Sequence, residues 1–363
     1  MIGVRQPKCY KFLLKKIGYR VTRQKSVDRT EKQISCRAKR EHRRKNTMRN
    51  ETLTLGFEEF CDFVKDNIVR LMPEDRKWTV RIMEADKNNG IRLKGISVME
   101  EGGNISPTIY LEQFYEDYKN GFMELEEVLV QVKETYENYK KEGFKFDYEK
   151  MLKEDKIIAC LVNREMNQKL LKKVPYVPVG EDLVLIFKYY LKEVFGEENG
   201  YVTITNHLVE CLKLNANKLL HKAMENMKEI CPEYFASMEH YLFGYPKHLP
   251  STMNMYVLTN QERHFGASSI LYKEVRKMLY DRFECDLIAL PSSIHEWILM
   301  PVTQIEDYSG LGEMVREVNA TQVAEEEKLG DRAYVIRRDK LLEEDFENLI
   351  YPIKEMYLMS GAM

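Results

Sequence analysis

Phe57, Phe60, Phe63, Val64, Ile68 and Leu71 recur every three or four positions, which places them on one face of a helix, and Pro73 ends the run. The period then changes. Trp78 to Glu84 alternates apolar and polar residues as a strand does, Lys87-Asn-Asn-Gly90 has turn chemistry, and Ile91 to Met99 predicts a second strand. Glu101-Gly-Gly-Asn104 turns the chain again ahead of a third strand, Pro107 to Leu111. A short helix is expected over Glu112–Lys119. A long one follows from about Glu124 to Lys141, with Leu125, Val128, Leu129, Val132 and Tyr136 on one face.

From about Tyr148 the elements mix. A short helix is expected before the strand Ile157–Val162, and Val174–Gly180 reads as an extended segment that caps a domain edge. Leu183–Tyr190 and Tyr201–Thr205 predict strands. Thr205-Asn206 stands where a helix to Leu214 needs its cap, and Asn215 opens a second helix that ends before Pro232. Met255–Thr259 predicts a strand and Ile270–Phe283 includes a helix. Asp286–Leu290 and Trp297–Met300 predict strands joined by Pro291-Ser-Ser-Ile-His-Glu296, a hairpin by its length. A helix over Gly312–Leu329, a strand over Ala333–Arg337 and a closing helix over Leu341–Ile350 complete the chain. Meanders and hairpins with helices between them predict an α+β fold with antiparallel or mixed sheets. The expected division is a basic, disordered extension at 1–47, an N-terminal unit of helix, meander and helices at 48–147, and a C-terminal α+β domain at 148–363.

Charge supports that first boundary. The whole chain has a net charge of −2, yet residues 1–47 hold 16 Lys and Arg against 3 Asp and Glu. The body is acidic, which disfavours a broad phosphate-binding surface. The cluster Arg37-Ala-Lys-Arg-Glu-His-Arg-Arg-Lys45 suits three readings: a start actually at Met48, a basic arm that touches nucleic acid, or an amphipathic segment that seeks a surface. The seven cysteines are widely spaced and form no Cys-x-x-Cys pair, as expected of reduced thiols in the cytoplasm. No run of 18 apolar residues predicts a membrane span.

Signature motifs for dinucleotides, nucleoside triphosphates, zinc hydrolysis and the serine nucleophile elbow are missing from the sequence. No metal and no cofactor is expected. Two clusters carry chemistry. In Leu290-Pro-Ser-Ser-Ile-His-Glu-Trp297, Ser292, Ser293, His295 and Glu296 bring together the groups of a serine hydrolase, where imidazole takes the hydroxyl proton and a carboxylate orients the imidazole. The same residues fit a hairpin turn, because neighbours on a strand face opposite ways. The second cluster, Leu258 to Ser269, holds Asn260, His264, Ser268 and Ser269 just past a strand end. A turn and a helix cap explain these equally well. If strand 255–259 pairs with 286–290, the two loops meet, and His264, Ser268, Ser292, Ser293 and His295 share one pocket. Asn260, His264, Ser268 and His295 are then the ligand-binding candidates.

Tyr256–Asn260, Phe265–Leu271, Leu290–Glu296, Pro107–Tyr115, Ile204–Asn206 and Asn226 with the Pro232 region resemble a bacterial family of unknown function over about residues 50–355. The order of elements is distantly similar to a second uncharacterised bacterial family. The resemblance implies one cohesive module that starts after the basic head, and it brings no activity, cofactor or catalytic residue. The leading expectation is a non-catalytic module that binds a protein partner or a small ligand. The alternatives are a hydrolase built on the Ser/His residues, or nucleic-acid binding through residues 1–47.

Overall fold

The computed structural model describes residues 54–353 apart from 103–105, 107, 142–152, 196–197, 247–250, 306–307 and 309. The basic segment 1–47 and the start at Met48 lie outside the described residues.

The N-terminal unit is a three-stranded meander covered by helices. Strands β1 (Trp78–Asp86), β2 (Arg92–Glu100) and β3 (Thr108–Tyr110) pair antiparallel in sequence order. β1 alternates in burial along its length, so only one of its faces is packed. Helices α1 (Phe57–Asn67), α2 (Glu112–Lys119) and α3 (Leu125–Lys141) supply the other half of the core. Phe60, Val64, Ile68, Ile96, Leu111, Leu129 and Val132 are fully buried there, the residues picked out by the 3.6 and 2.0 periods.

Two further antiparallel sheets form the rest. In the first, β6 (Leu183–Phe195) carries β4 (Ile157–Asn163) on one edge, with β5 (Tyr176–Val179) and β7 (Glu198–Thr203) sharing the other. Pro178 has no N–H to donate, which suits β5 to an edge position. The second sheet has six strands in the order β13-β12-β10-β11-β9-β8. These are β8 (Glu233–Ser237), β9 (Tyr256–Asn260), β10 (Leu287–Ser293), β11 (Glu296–Pro301), β12 (Tyr334–Ile336) and β13 (Ile350–Pro352). Short helices α4 (Gln168–Leu171) and α5 (Asn206–Cys211) follow β4 and β7. Between the two sheets pack α6 (Ala216–Ile230), the 3-10 turn Gly266–Leu271 and α8 (Lys273–Arg282), around Phe187, Tyr189, Leu219, Ile270, Leu279 and Trp297. The far face of the six-stranded sheet is closed by α7 (Met238–Phe243) and α9 (Leu311–Gln322). With both faces covered, β4, β9, β10 and β11 are buried at every position, which explains their continuous rather than alternating apolar runs. The fold is α+β.

Three expectations are corrected. β9 pairs with β11, through Leu258 opposite Trp297, and not with the 286–290 strand, because β11 folds back into the gap. The helix expected to reach Leu329 stops at Gln322 and gives way to a 3-10 turn, Glu325–Glu327. The closing helix over 341–350 does not form. The Arg276 guanidinium takes the carbonyls of Leu341 and Glu343, Gly180 N–H takes that of Phe346, and Ile350 pairs with Ile336 in the sheet. Those tertiary partners outbid the helical ones.

The β1–β2 turn ties the N-terminal unit to the rest. Asn89 adopts φ 58°, the left-handed region that Asn tolerates. There its side-chain amide donates to the carbonyls of Glu325 (2.7 Å) and Lys328 (2.8 Å), while its Oδ1 accepts from Asn167 Nδ2 at 3.0 Å. Asn88 Nδ2 donates to Glu326 O at 2.8 Å. Asn89→Ala removes three hydrogen bonds and leaves two carbonyls short of a donor, so a loss of about 2–4 kcal/mol is expected in denaturant unfolding. Asn89→Gly, which keeps the backbone freedom, is expected to lose less.

Candidate functional site

The β10–β11 hairpin turns on two residues, Ile294 and His295, after a bulge between Pro291 and Ser293. Beside it runs the loop that leaves β9. Asn260 closes that loop from within: its Nδ2 donates to His264 O (2.8 Å) and its Oδ1 accepts from His264 N (3.2 Å). The closure holds Arg263 and Phe265 at φ 52° and 54°, a conformation that costs each residue roughly 1 kcal/mol or more. Gly266 follows because nothing larger fits. A Cβ there would overlap Thr259 Oγ1 and crowd His295 O and Asn260 N.

The two loops bring the rings of His264, Phe265 and His295 together, with the His264 and His295 centroids 4.8 Å apart. Tyr201 from β7 stacks on His264 at 4.6 Å and meets Phe265 edge-on at 5.0 Å. Such spacings are those of favourable ring pairs. Tyr201, His264, Phe265 and His295 are all half-buried, so each keeps some surface in water. Lys188 of β6 lies opposite Thr203 of β7 and donates to its hydroxyl at 2.9 Å, with its ammonium 5.3 Å from the Phe265 ring.

The polar candidates are held in different ways. His295 Nδ1 accepts the Phe265 N–H at 3.0 Å, so the proton of a neutral ring sits on Nε2, which faces Glu327 Oε1 at 3.6 Å. Nδ1 is thus taken by a backbone donor, while Nε2 lies within ion-pair distance of a carboxylate. Ser293 Oγ accepts from His295 N (3.1 Å), Ser292 Oγ donates to Glu296 Oε1 (3.1 Å), and buried Ser268 accepts from Leu161 N (3.0 Å). Glu296 also receives the Tyr241 hydroxyl at 3.2 Å. His264 and His295 therefore meet, as do the loops that carry them, while the three serine hydroxyls serve turns and strand contacts. A hydrolytic Ser–His pair needs a hydroxyl on an imidazole nitrogen, and in His295 one nitrogen is taken and the other faces a carboxylate.

Sequence reasoning missed Lys188, Tyr201 and Glu327. Lys188 did leave a signal, as a lone cation inside the apolar run Leu183–Tyr190. It missed a second region as well. A cavity of about 730 Å³ opens between α6, the start of α8 and the 341–347 turns, lined among others by Leu220, Met224, Arg276 and Phe346. Among the described residues no group of three His, Cys, Asp or Glu side chains is placed to hold a metal ion. The buried thiols of Cys61, Cys160 and Cys231 are pushed up to about 11, 12 and 12 by burial, so none is a ready thiolate.

Burial, with His295 and Lys188 nearby, pushes the His264 imidazole down to about 3. The folded ring stays neutral while the unfolded one takes a proton below about 6.5. Stability is therefore complete above pH 6.5 and is lost as pH falls from there toward 3. Glu327, held below the ordinary carboxylate range by His295, adds its own loss below its unfolded value of 4.5. Between pH 6.5 and 4.5 the His264 contribution stands apart from that of Glu327. His264→Phe is expected to flatten the pH dependence of denaturant unfolding in that window, while an exposed control such as His221→Phe leaves it unchanged.

No curated protein and no solved structure matches the chain. Residues 57–338, which contain the N-terminal unit, the ring cluster and both larger sheets except the edge strand β13, match a family of unknown function, DUF5688, and the chain belongs to that family.

Proposed function

We propose that the family domain is a non-catalytic binding module of the cytoplasm, and that its small ligand docks on the ring cluster of Tyr201, His264, Phe265 and His295. One observation carries the reading: four half-exposed rings from three separate segments converge where the backbone is strained to bring them together. Scattered surface aromatics need no explanation, but a cluster built at the expense of two left-handed residues does. The backbone donor on His295 Nδ1 and the carboxylate facing its Nε2 support binding over hydrolysis. The five described cysteines are free thiols, in keeping with a reducing compartment. No described helix is long and apolar enough to cross a membrane.

The test is a screen of aromatic and heteroaromatic fragments against the full chain, read by the imidazole C–H signals in NMR. Binders are expected to move the His264 and His295 signals and leave exposed His221 still. His264→Ala should weaken them at least tenfold. Fragments that bind without touching those two signals would refute the reading, as would turnover of ester or amide substrates that is lost in His295→Ala.

A further inference from the structure

Lys188 is a half-buried cation with no matching anion among the described residues. Among the described residues no carboxylate lies within ion-pair distance of it. Its polar partners come down to the neutral hydroxyl of Thr203 at 2.9 Å and the ring face of Phe265 at 5.3 Å. A cation–π contact and one neutral hydrogen bond are each weak beside the charge of a partly desolvated ammonium. An ammonium has three N–H donors, so two are left for something else. Lys87 adds to the imbalance. It too has no carboxylate partner among the described residues: its ammonium rests 4.3 Å from the Tyr110 ring, and burial first, with the Lys87 charge adding to it, disfavours the Lys188 ammonium. Several other lysines of this acidic body do have a carboxylate: Lys94 has Glu58, Lys173 Asp86, Lys218 Glu154 and Lys228 Glu274. A desolvated charge left without its opposite is costly unless a ligand supplies it.

We propose that Lys188, seconded by Lys87, is the charge-reading end of the ring site, and that the ligand is a small aromatic or heteroaromatic carboxylate. The inference rests on the ring-cluster reading and names its ligand class. The ring of such a ligand would lie against Tyr201 and His264, and its carboxylate would take the two remaining N–H groups of Lys188. Two features select a carboxylate over a dianionic phosphate. Of the two cations only Lys188 lies against the rings of the site, with Lys87 set back on Tyr110. On the other side, Glu327, 3.6 Å from His295, would repel a second negative charge. His264 stays neutral and so recognises the flat face of a ligand rather than its charge.

The experiment uses the full chain and three probes: benzoate, its neutral isostere benzamide, and inorganic phosphate. Binding is followed by calorimetry and by the His264 and His295 imidazole signals. Benzoate is expected to bind tighter than benzamide and to lose at least tenfold in Lys188→Met, which keeps the aliphatic stem. Benzamide should bind the wild-type chain and Lys188→Met alike. Lys188→Arg, which retains the charge, should keep most of the benzoate affinity, and Lys87→Gln should lose a few-fold. The Arg and Gln variants keep the test decisive if the Met variant folds poorly. Equal binding of benzoate and benzamide, with the ring signals moving for both, overturns the anion inference and leaves the ring site standing. Phosphate binding tighter than benzoate overturns the carboxylate class. If neither aromatic probe moves the ring signals, both proposals fall.

Discussion

Asn88 and Asn89 together make the contact on which the rest of the molecule depends. Through two side chains they take the carbonyls of Glu325, Glu326 and Lys328, the whole outer edge of one 3-10 turn. That turn offers Glu327 O to the N–H of Ile294, at 2.8 Å, and its carboxylate to His295. The β1–β2 hairpin therefore reaches the β10–β11 hairpin through a single turn of chain. Lys87 immediately precedes the two asparagines, so the same docking that fixes the turn also fixes the strand end from which Lys87 meets Tyr110 and adds its charge to the field at Lys188. Lys173 with Asp86, at 2.5 Å, pins the other side of the hairpin. Exposed ion pairs contribute little by themselves, so the weight falls on the half-buried amides.

The His295 ring shows how one hydrogen bond can decide between chemistries. A histidine between a carboxylate and a serine is placed as a general base; between a carboxylate and a backbone amide, as His295 is, the ring is held in place instead. Here Nδ1 receives the Phe265 N–H, a donor that the left-handed conformation of Phe265 turns toward the hairpin. The bond offsets part of the strain in that residue and fixes the ring plane against His264. The serines are equally committed, since Ser293 Oγ caps the turn and Ser268 bridges to β4. Residue types that read as hydrolytic in one dimension are the ordinary means of building a tight two-residue turn beside a strained loop.

Much of the architecture was legible because periodicity survives wherever one face is wet. α1, β1, β2 and α3 follow their patterns closely, and Thr205 and Asn215 cap the helices they were expected to cap. The illegible parts share a cause: partners distant in sequence. Leu341–Ile350 has helical spacing, yet a buried arginine from α8 and a glycine from the β5–β6 turn claim its carbonyls. β9 and β10 are equally apolar on both sides, so the pattern gave no means to choose which of them β11 would separate. The ring site is legible in half: His264 and His295 stand out as histidines in loops, but Tyr201 and Lys188 belong to strands whose face is decided only by pairing.

The charge of the body bears on how the proposed site would work. Residues 48–363 carry 40 basic and 55 acidic groups, so a carboxylate approaching from a distance meets a repulsive field. That field is screened within about 8 Å at physiological ionic strength, whereas a half-buried ammonium acts at contact through a low-dielectric wall. Attraction at the site is therefore short-ranged. It falls to a ligand already seated on the rings, because only then is its charge near enough to Lys188 to matter. In such an arrangement the aromatic surface provides the first hold and the cation discriminates afterwards, which is the order expected of a site whose rings face water and whose lysine is partly withdrawn from it.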